Sequence, residues 1–312
     1  MQYNLDPQGD VVLVLRNPDA PFAVWDETYG IPDLQPESSS QSTISVLSQT
    51  EFADAQSTFA DSPPKSPSAQ APSDVRFLLS SRHLILASEY FYLALQGPWK
   101  EGNTTSSDSR RYVYTDDWDT KALHILMQVI HGRNNGVPKL LDLELLAKIA
   151  VLVDYYKCHE AVKICSDMWI EKLTDPLPTS CNRELVLWHL IASVFEQRNL
   201  FKDITKVALQ HGLGPFPTLG LPIIDVADKI NQRRVDSLSQ MFTSLELIHL
   251  RLIDGVAGCS FECSSILLGA LTKQMHRGGI HPRPECPYHG YSIKSTAEMV
   301  RNFRSPRCLV IG

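Results

Sequence analysis

No cysteine precedes Cys158, and the seven that occur in the 312 residues, at 158, 165, 181, 259, 263, 286 and 308, are odd in number. A secreted disulfide framework draws on an even set, so reduced thiols in an intracellular compartment are expected, with nucleus and cytosol left open. Long apolar runs are missing too. The longest, at 11–15 and 149–153, fall far short of the ~20 residues that a membrane span needs. The opening MQYNLDPQGD lacks the basic and apolar regions of a signal peptide. Positive charge is not in excess: the formal net charge is −6 and the pI ≈ 5.9, so neither nucleic acid nor a membrane is expected as a direct partner. There is no Gly-rich phosphate loop, no G-x-S-x-G, no H-E-x-x-H, and no H-x-E with a paired Cys motif. The chain therefore reads as a non-enzyme without a cofactor motif. A basic recognition helix and C2H2 finger spacing are absent as well.

What is present is patterned as a mixed α+β chain. The run from Asp10 to Leu15, bounded by Gly9 and Asn17-Pro18, is β-branched and aliphatic without alternation, which predicts a strand covered on both faces. Phe22–Trp25 suggests a second short strand. From Gln35 to Ser73 the composition collapses into Ser, Pro, Gln, Thr, Ala and Asp, too little apolar surface to offset ordering entropy, and a disordered insert is expected there. Ser62-Pro63 and Ser66-Pro67 within it are candidate phosphorylation sites. Val75, Phe77 and Leu79 then alternate as a strand, followed by a helix over about 82–95, which Gly97-Pro98 ends. His83, where strand gives way to helix, reads as a satisfied core histidine. Asn103-Thr104-Thr105 matches a glycosylation sequon, which in an intracellular chain is only a polar loop. Tyr112–Tyr114 predicts a further strand. Helices follow from Asp119 or Thr120 to Gly132, from Asp142 as N-cap to Tyr156, and through Ala161, Val162, Cys165, Met168, Trp169 and Leu173.

Those residues carry a resemblance. SDVRFLLSSRHLILASEYF (73–91) resembles the strand-to-first-helix segment of the BTB/POZ domain family. GDVVLVL (9–15), the WKEG of 99–102, the WDTKAL that begins at Trp118, IHGRNNGVP (130–138) and LLAKIAVLVDYYKCHEAV (145–162) resemble a fungal branch of it. Each segment is an ordinary amphipathic element; their order and spacing make the case. The resemblance implies a domain over 9–175, interrupted by the insert at 35–73, with a three-to-four-stranded sheet flanked by helices. It also implies binding without an active site. BTB domains pair with themselves or with other proteins through the first helix and neighbouring strands, which points to Leu84, Leu86, Tyr90 and Phe91 as a partner interface in a homodimer or BTB heterodimer.

The second half predicts an all-α extension over 176–255 and a Cys-containing segment over 256–312. Two helices are expected within 183–211. A long helix follows from Pro222 to about Asp254, with an apolar stripe that Arg233-Arg234 interrupts. The stripe could serve a dimerising coiled coil, but its broken continuity favours packing within the chain. Near the end, Cys259-x3-Cys263 and Cys286-x2-His289 offer the ligands of a closed, structural tetrahedral zinc site, provided that the first pair shares one helical turn. The bland reading is that these cysteines are small buried hydrophobes.

The functions that follow are a BTB scaffold for self-association and partner recruitment, with transcriptional or nuclear regulation as its setting, and a substrate adaptor for a cullin-type ubiquitin ligase. A third is a BTB protein whose C-terminal segment holds structural zinc. No propeller or ankyrin repeat marks a substrate-binding domain, which favours the scaffold. Limited proteolysis is expected to cut between Gln35 and Ser73 and leave the two pieces associated on size exclusion; separation of the pieces would contradict a domain split by an insert.

Overall fold

The computed structural model describes residues 1–29, 74–96, 109–173 and 176–306. The Ser/Pro-rich stretch with Ser62 and Ser66, the Trp99–Gly102 motif, the Asn103 sequon and Cys308 lie outside the described residues. Among those described, the fold is α+β: one four-stranded sheet, ten α-helices and an all-helical C-terminal region. The chain divides into two units. The first takes Met1–Phe22, the described residues within 74–139, and Leu152–Cys165; the second takes the described residues from Ala23 to Tyr29, Leu140–Val151, and those from Ser166 onward.

The sheet of the first unit is built from β1 (Gln2–Asn4), β2 (Val11–Arg16), β3 (Val75–Leu79) and β4 (Arg111–Asp116), in the order β1-β3-β2-β4. Strand β2 runs antiparallel to β3, with Leu13 opposite Phe77, and parallel to β4, with Leu13 beside Val113. Because side chains alternate, Val11, Leu13 and Leu15 share one face with Val75, Phe77 and Leu79. Val12, Val14 and Leu78 cluster on the other, where Tyr112 packs against them. Every residue of β2 except Arg16 is buried, which accounts for its lack of alternation. Strand β1 lies at the edge, parallel to β3, and its polar QYN has no apolar periodicity by which to foresee it. Tyr3 stacks there on Phe77 and on His124.

Helices α1 (Ser81–Ala87) and α2 (Glu89–Gln96) replace the single helix expected over 82–95. Ser88 separates them in an extended conformation; its hydroxyl donates to the Tyr156 carbonyl and accepts from the Phe91 amide at 3.2 Å. A short side chain that bonds to backbone in this way competes with helical continuation. Helix α3 (Thr120–Ile130) starts where Asp119 accepts from the Ala122 amide and stops at Gly132, whose φ of 65° a glycine adopts without strain. Helices α4 (Leu143–Tyr156) and α5 (His159–Lys172) contribute residues to each unit. Phe22–Trp25 forms no strand: Ala23 has a φ of 46°, and its carbonyl accepts from Arg183 at 2.8 Å.

The second unit contains α6 (Arg183–Val194), α7 (Arg198–His211), the 30-residue α8 (Ile224–Ile253), α9 (Phe261–Arg277) and α10 (Ile293–Arg301). Helix α8 packs within the chain, against α7, α9 and α10. Its Leu238, Phe242 and Leu245 form a core with Met275, Ile280 and Tyr288. Arg234 occupies the same stripe as Ile230 and Leu238 and is only 1% exposed. Its guanidinium donates to the carbonyls of Pro287, Tyr288 and Tyr291 at 2.6–3.2 Å, so the apparent break in the stripe is a clamp on the loop between α9 and α10. His189 of α6 is fully buried between the ring edges of Phe201 and Phe216. One ring nitrogen meets the Thr205 hydroxyl at 3.2 Å, while Nδ1 has no partner.

Burial pushes the His189 imidazole down to about 4. The folded chain thus binds this proton more weakly than the unfolded chain, and the stability present above pH ~6.5 is lost as pH falls towards ~4, by about 3 kcal/mol. Urea midpoints measured across that range should fall, and His189→Leu should flatten the slope.

Candidate functional site

The start of α1 is held by residues far away in sequence. Asp10, just before β2, accepts from the Ser81 amide at 2.8 Å and from the Ser81 hydroxyl at 2.7 Å. The Arg111 guanidinium, at the start of β4, donates to the same carboxylate. Burial opposes ionisation of Asp10, but the bonds from Ser81 and Arg111 outweigh it and hold the carboxyl below its ordinary range. One residue earlier, the Ser80 amide donates to Nε2 of His131 at 3.0 Å. His131 follows α3 and is buried; His83, expected to be the core histidine, is instead exposed and stacks on it with ring centroids 5.1 Å apart. No local pattern marks Asp10 or His131 as caps of α1, because their partners lie 71 and 51 residues away.

The four residues read as a partner interface divide into two kinds. Leu84 and Phe91 are fully buried and belong to the core of the first unit, so they are not available to a partner. Leu84, Phe91 and Leu95 recur at helical spacing and are all buried, so the interface that the resemblance implies takes in two residues of the core stripe. Leu86, by contrast, is 88% exposed on α1, and Tyr92 and Leu93 of α2 are about half exposed. Tyr90 is half-buried against the rings of Phe91, Tyr155 and Tyr156. Tyr156 is the buried anchor of that group, its hydroxyl 3.2 Å from the Thr115 hydroxyl, to which Trp118 also donates at 2.6 Å. Burial raises the Tyr156 phenol well above its ordinary range. The first unit thus exposes one large apolar side chain on α1 and two on α2.

The four proposed zinc ligands, Cys259, Cys263, Cys286 and His289, are not gathered. Among the described residues, no three His, Cys, Asp or Glu side chains group as an ion would require. Cys259 lies before the N-cap of α9, where Ser260 is extended and accepts from the Cys263 amide at 3.2 Å. The helical i, i+4 relation on which a shared face depended is therefore absent. Cys263 is buried in the first turn, whereas Cys259 and Cys286 are exposed.

An open groove of roughly 640 Å³ lies in the first unit between β1 and the end of α3, lined by amides of Asn4, Gln128, Asn134 and Asn135. Its charged lining residue is Arg133, whose Nε donates to the Leu5 carbonyl at 3.0 Å. Burial of His124, which also lines the groove, lowers the affinity of that imidazole for a proton. The groove's lining includes no Ser, Thr, Cys, Lys, Asp or Glu side chain. No described helix is long and apolar enough to cross a membrane.

Asp10→Ala should remove the cap of α1 and cost about 1–2 kcal/mol. Hydrogen exchange should then accelerate first at the amides of 81–85; unchanged protection there would count against the capping role. No protein-family model matches the chain, and no curated protein matches it.

Proposed function

We propose that this chain is a protein-interaction scaffold whose first unit is a BTB/POZ-type domain that self-associates and recruits partners through the surface of α1 and α2. The observation that carries the reading is Leu86, 88% exposed on a helix whose Leu84 is fully buried. A large apolar side chain presented from a fixed helix loses little entropy when a partner covers it. Tyr92 and Leu93 add apolar surface on α2. The order of elements supports the family reading: two antiparallel strands, helices, a strand parallel to the first, then further helices. Partners are proteins, with a second copy of the chain foremost.

Sedimentation velocity on the full chain at tens of micromolar should show a dimer that dissociates on dilution. Leu86→Glu, which places an unpaired charge in the contact, should shift it to monomer by at least ~10-fold in dissociation constant without moving the urea midpoint. A wild-type chain that stays monomeric, or a Leu86→Glu chain that still dimerises with unchanged affinity, would overturn the use of this face.

A further inference from the structure

We propose that His131 is a proton-operated latch on the β3–α1 junction, closed when its imidazole is neutral and released when acid protonates Nε2. Its tautomer follows from its two partners. Nδ1 lies 2.9 Å from the Met127 carbonyl, which can only accept, so Nδ1 carries the proton. Nε2 lies 3.0 Å from the Ser80 amide, which can only donate, so Nε2 presents its lone pair. The neutral ring with its proton on Nδ1 is the one form that satisfies both groups. A second proton, on Nε2, removes the acceptor and sets one N–H against another.

The released amide has no easy substitute. Ser80 is 9% exposed, and an unpaired buried N–H is costly to leave unmade. The charged and titratable groups facing the ring come from each element around it. They are the His83 imidazole of α1, the Arg133 guanidinium beyond α3, and the Asp6 carboxylate between β1 and β2. Two of the three are basic, and only Asp6 favours a cation. Burial, the largest influence, together with His83 and Arg133, outweighs the Met127 bond and Asp6 and lowers the affinity of His131 for a proton. In an opened junction the ring regains its ordinary affinity near pH 6.5, so acid favours opening. Ser80 also carries the carbonyl that accepts from Leu84 at 3.2 Å, the first turn of α1. Opening at Ser80 therefore loosens the first turn of α1, while Asp10 still holds Ser81. The latch is a property of the junction and stands whether or not α1 meets a partner.

The test follows amide exchange, corrected for intrinsic rate, on the full chain between pH 7.5 and 5, together with nitrogen NMR of the imidazoles. At neutral pH, His131 should give the pattern of a neutral ring protonated on Nδ1. As pH falls, the amides of Ser80 and Leu84 should lose at least ~10-fold in protection relative to those of Ser81, Leu13 and Val113. His131→Gln, which keeps a donor and an acceptor without a titration, should abolish that local pH dependence, whereas His83→Ala should leave it in place. The proposal is overturned if the Ser80 amide keeps its protection while His131 becomes protonated. It is equally overturned if protection is lost uniformly across the sheet, or if His131→Gln retains the local effect. Should His131→Gln fail to fold, the wild-type comparison of ring protonation with Ser80 protection decides alone.

Discussion

Strand β2 must be covered on both faces and paired along both edges, and the rest of the first unit is arranged to meet that demand. Five consecutive apolar residues, Val11 to Leu15, leave it no solvent-facing side. Its partners are remote: Leu15 pairs with Val75, and Val11 with Arg111. Such long closures cost entropy that grows only slowly with loop length, so burial of an aliphatic strand can outweigh them. Asp10, just before the strand, then serves as acceptor for Ser81 and Arg111, so the placement of β2 also places the starts of α1 and β4. Arg16 and Asp116 close the other end with an ion pair at 2.9 Å.

The second unit is organised around a cation in place of an aliphatic strand. Arg234 takes a core position on α8 and has three backbone carbonyls as partners. Carbonyl oxygens on a loop between helices need donors, and a buried guanidinium supplies several in a fixed fork. Burial lowers its affinity for a proton, the expected response of a charge surrounded by partial charges. The arrangement stabilises one conformation of the loop carrying Pro287, Tyr288 and Tyr291, and it excludes a continuous hydrophobic seam along α8. This explains why the helix packs inside its own chain, since a dimerising coiled coil needs that seam unbroken.

The proposed interaction role draws on the contrast within α1 and α2. The sequence reads 82–95 as one apolar helix, and the BTB/POZ resemblance points to Leu84, Leu86, Tyr90 and Phe91 as a partner interface. Ser88 divides the two helices; Leu84 and Phe91, seven residues apart, are both buried, while Leu86 stays outside. A serine in mid-helix is locally tolerable, and nothing near it in sequence announces that the Tyr156 carbonyl will take its hydroxyl. The Cys/His quartet failed to converge for a related reason. Spacing alone made Cys259 and Cys263 neighbours on a helix, but capping by Ser260 leaves Cys259 outside it.

The sequence by itself determined the α+β class, the strands at β2, β3 and β4, and most helices, with a cap at Asp142 and another at Asp119 or Thr120, of which the structure uses Asp119. These features depend on local periodicity and on side chains bonding within one turn. Only the tertiary structure decided that β1 adds a strand, that His131 rather than His83 is the buried imidazole at the β3–α1 junction, and that Arg234 lies in the core. Each of those outcomes depends on a partner dozens of residues away that satisfies a backbone group, and that pairing leaves no trace in the neighbouring residues.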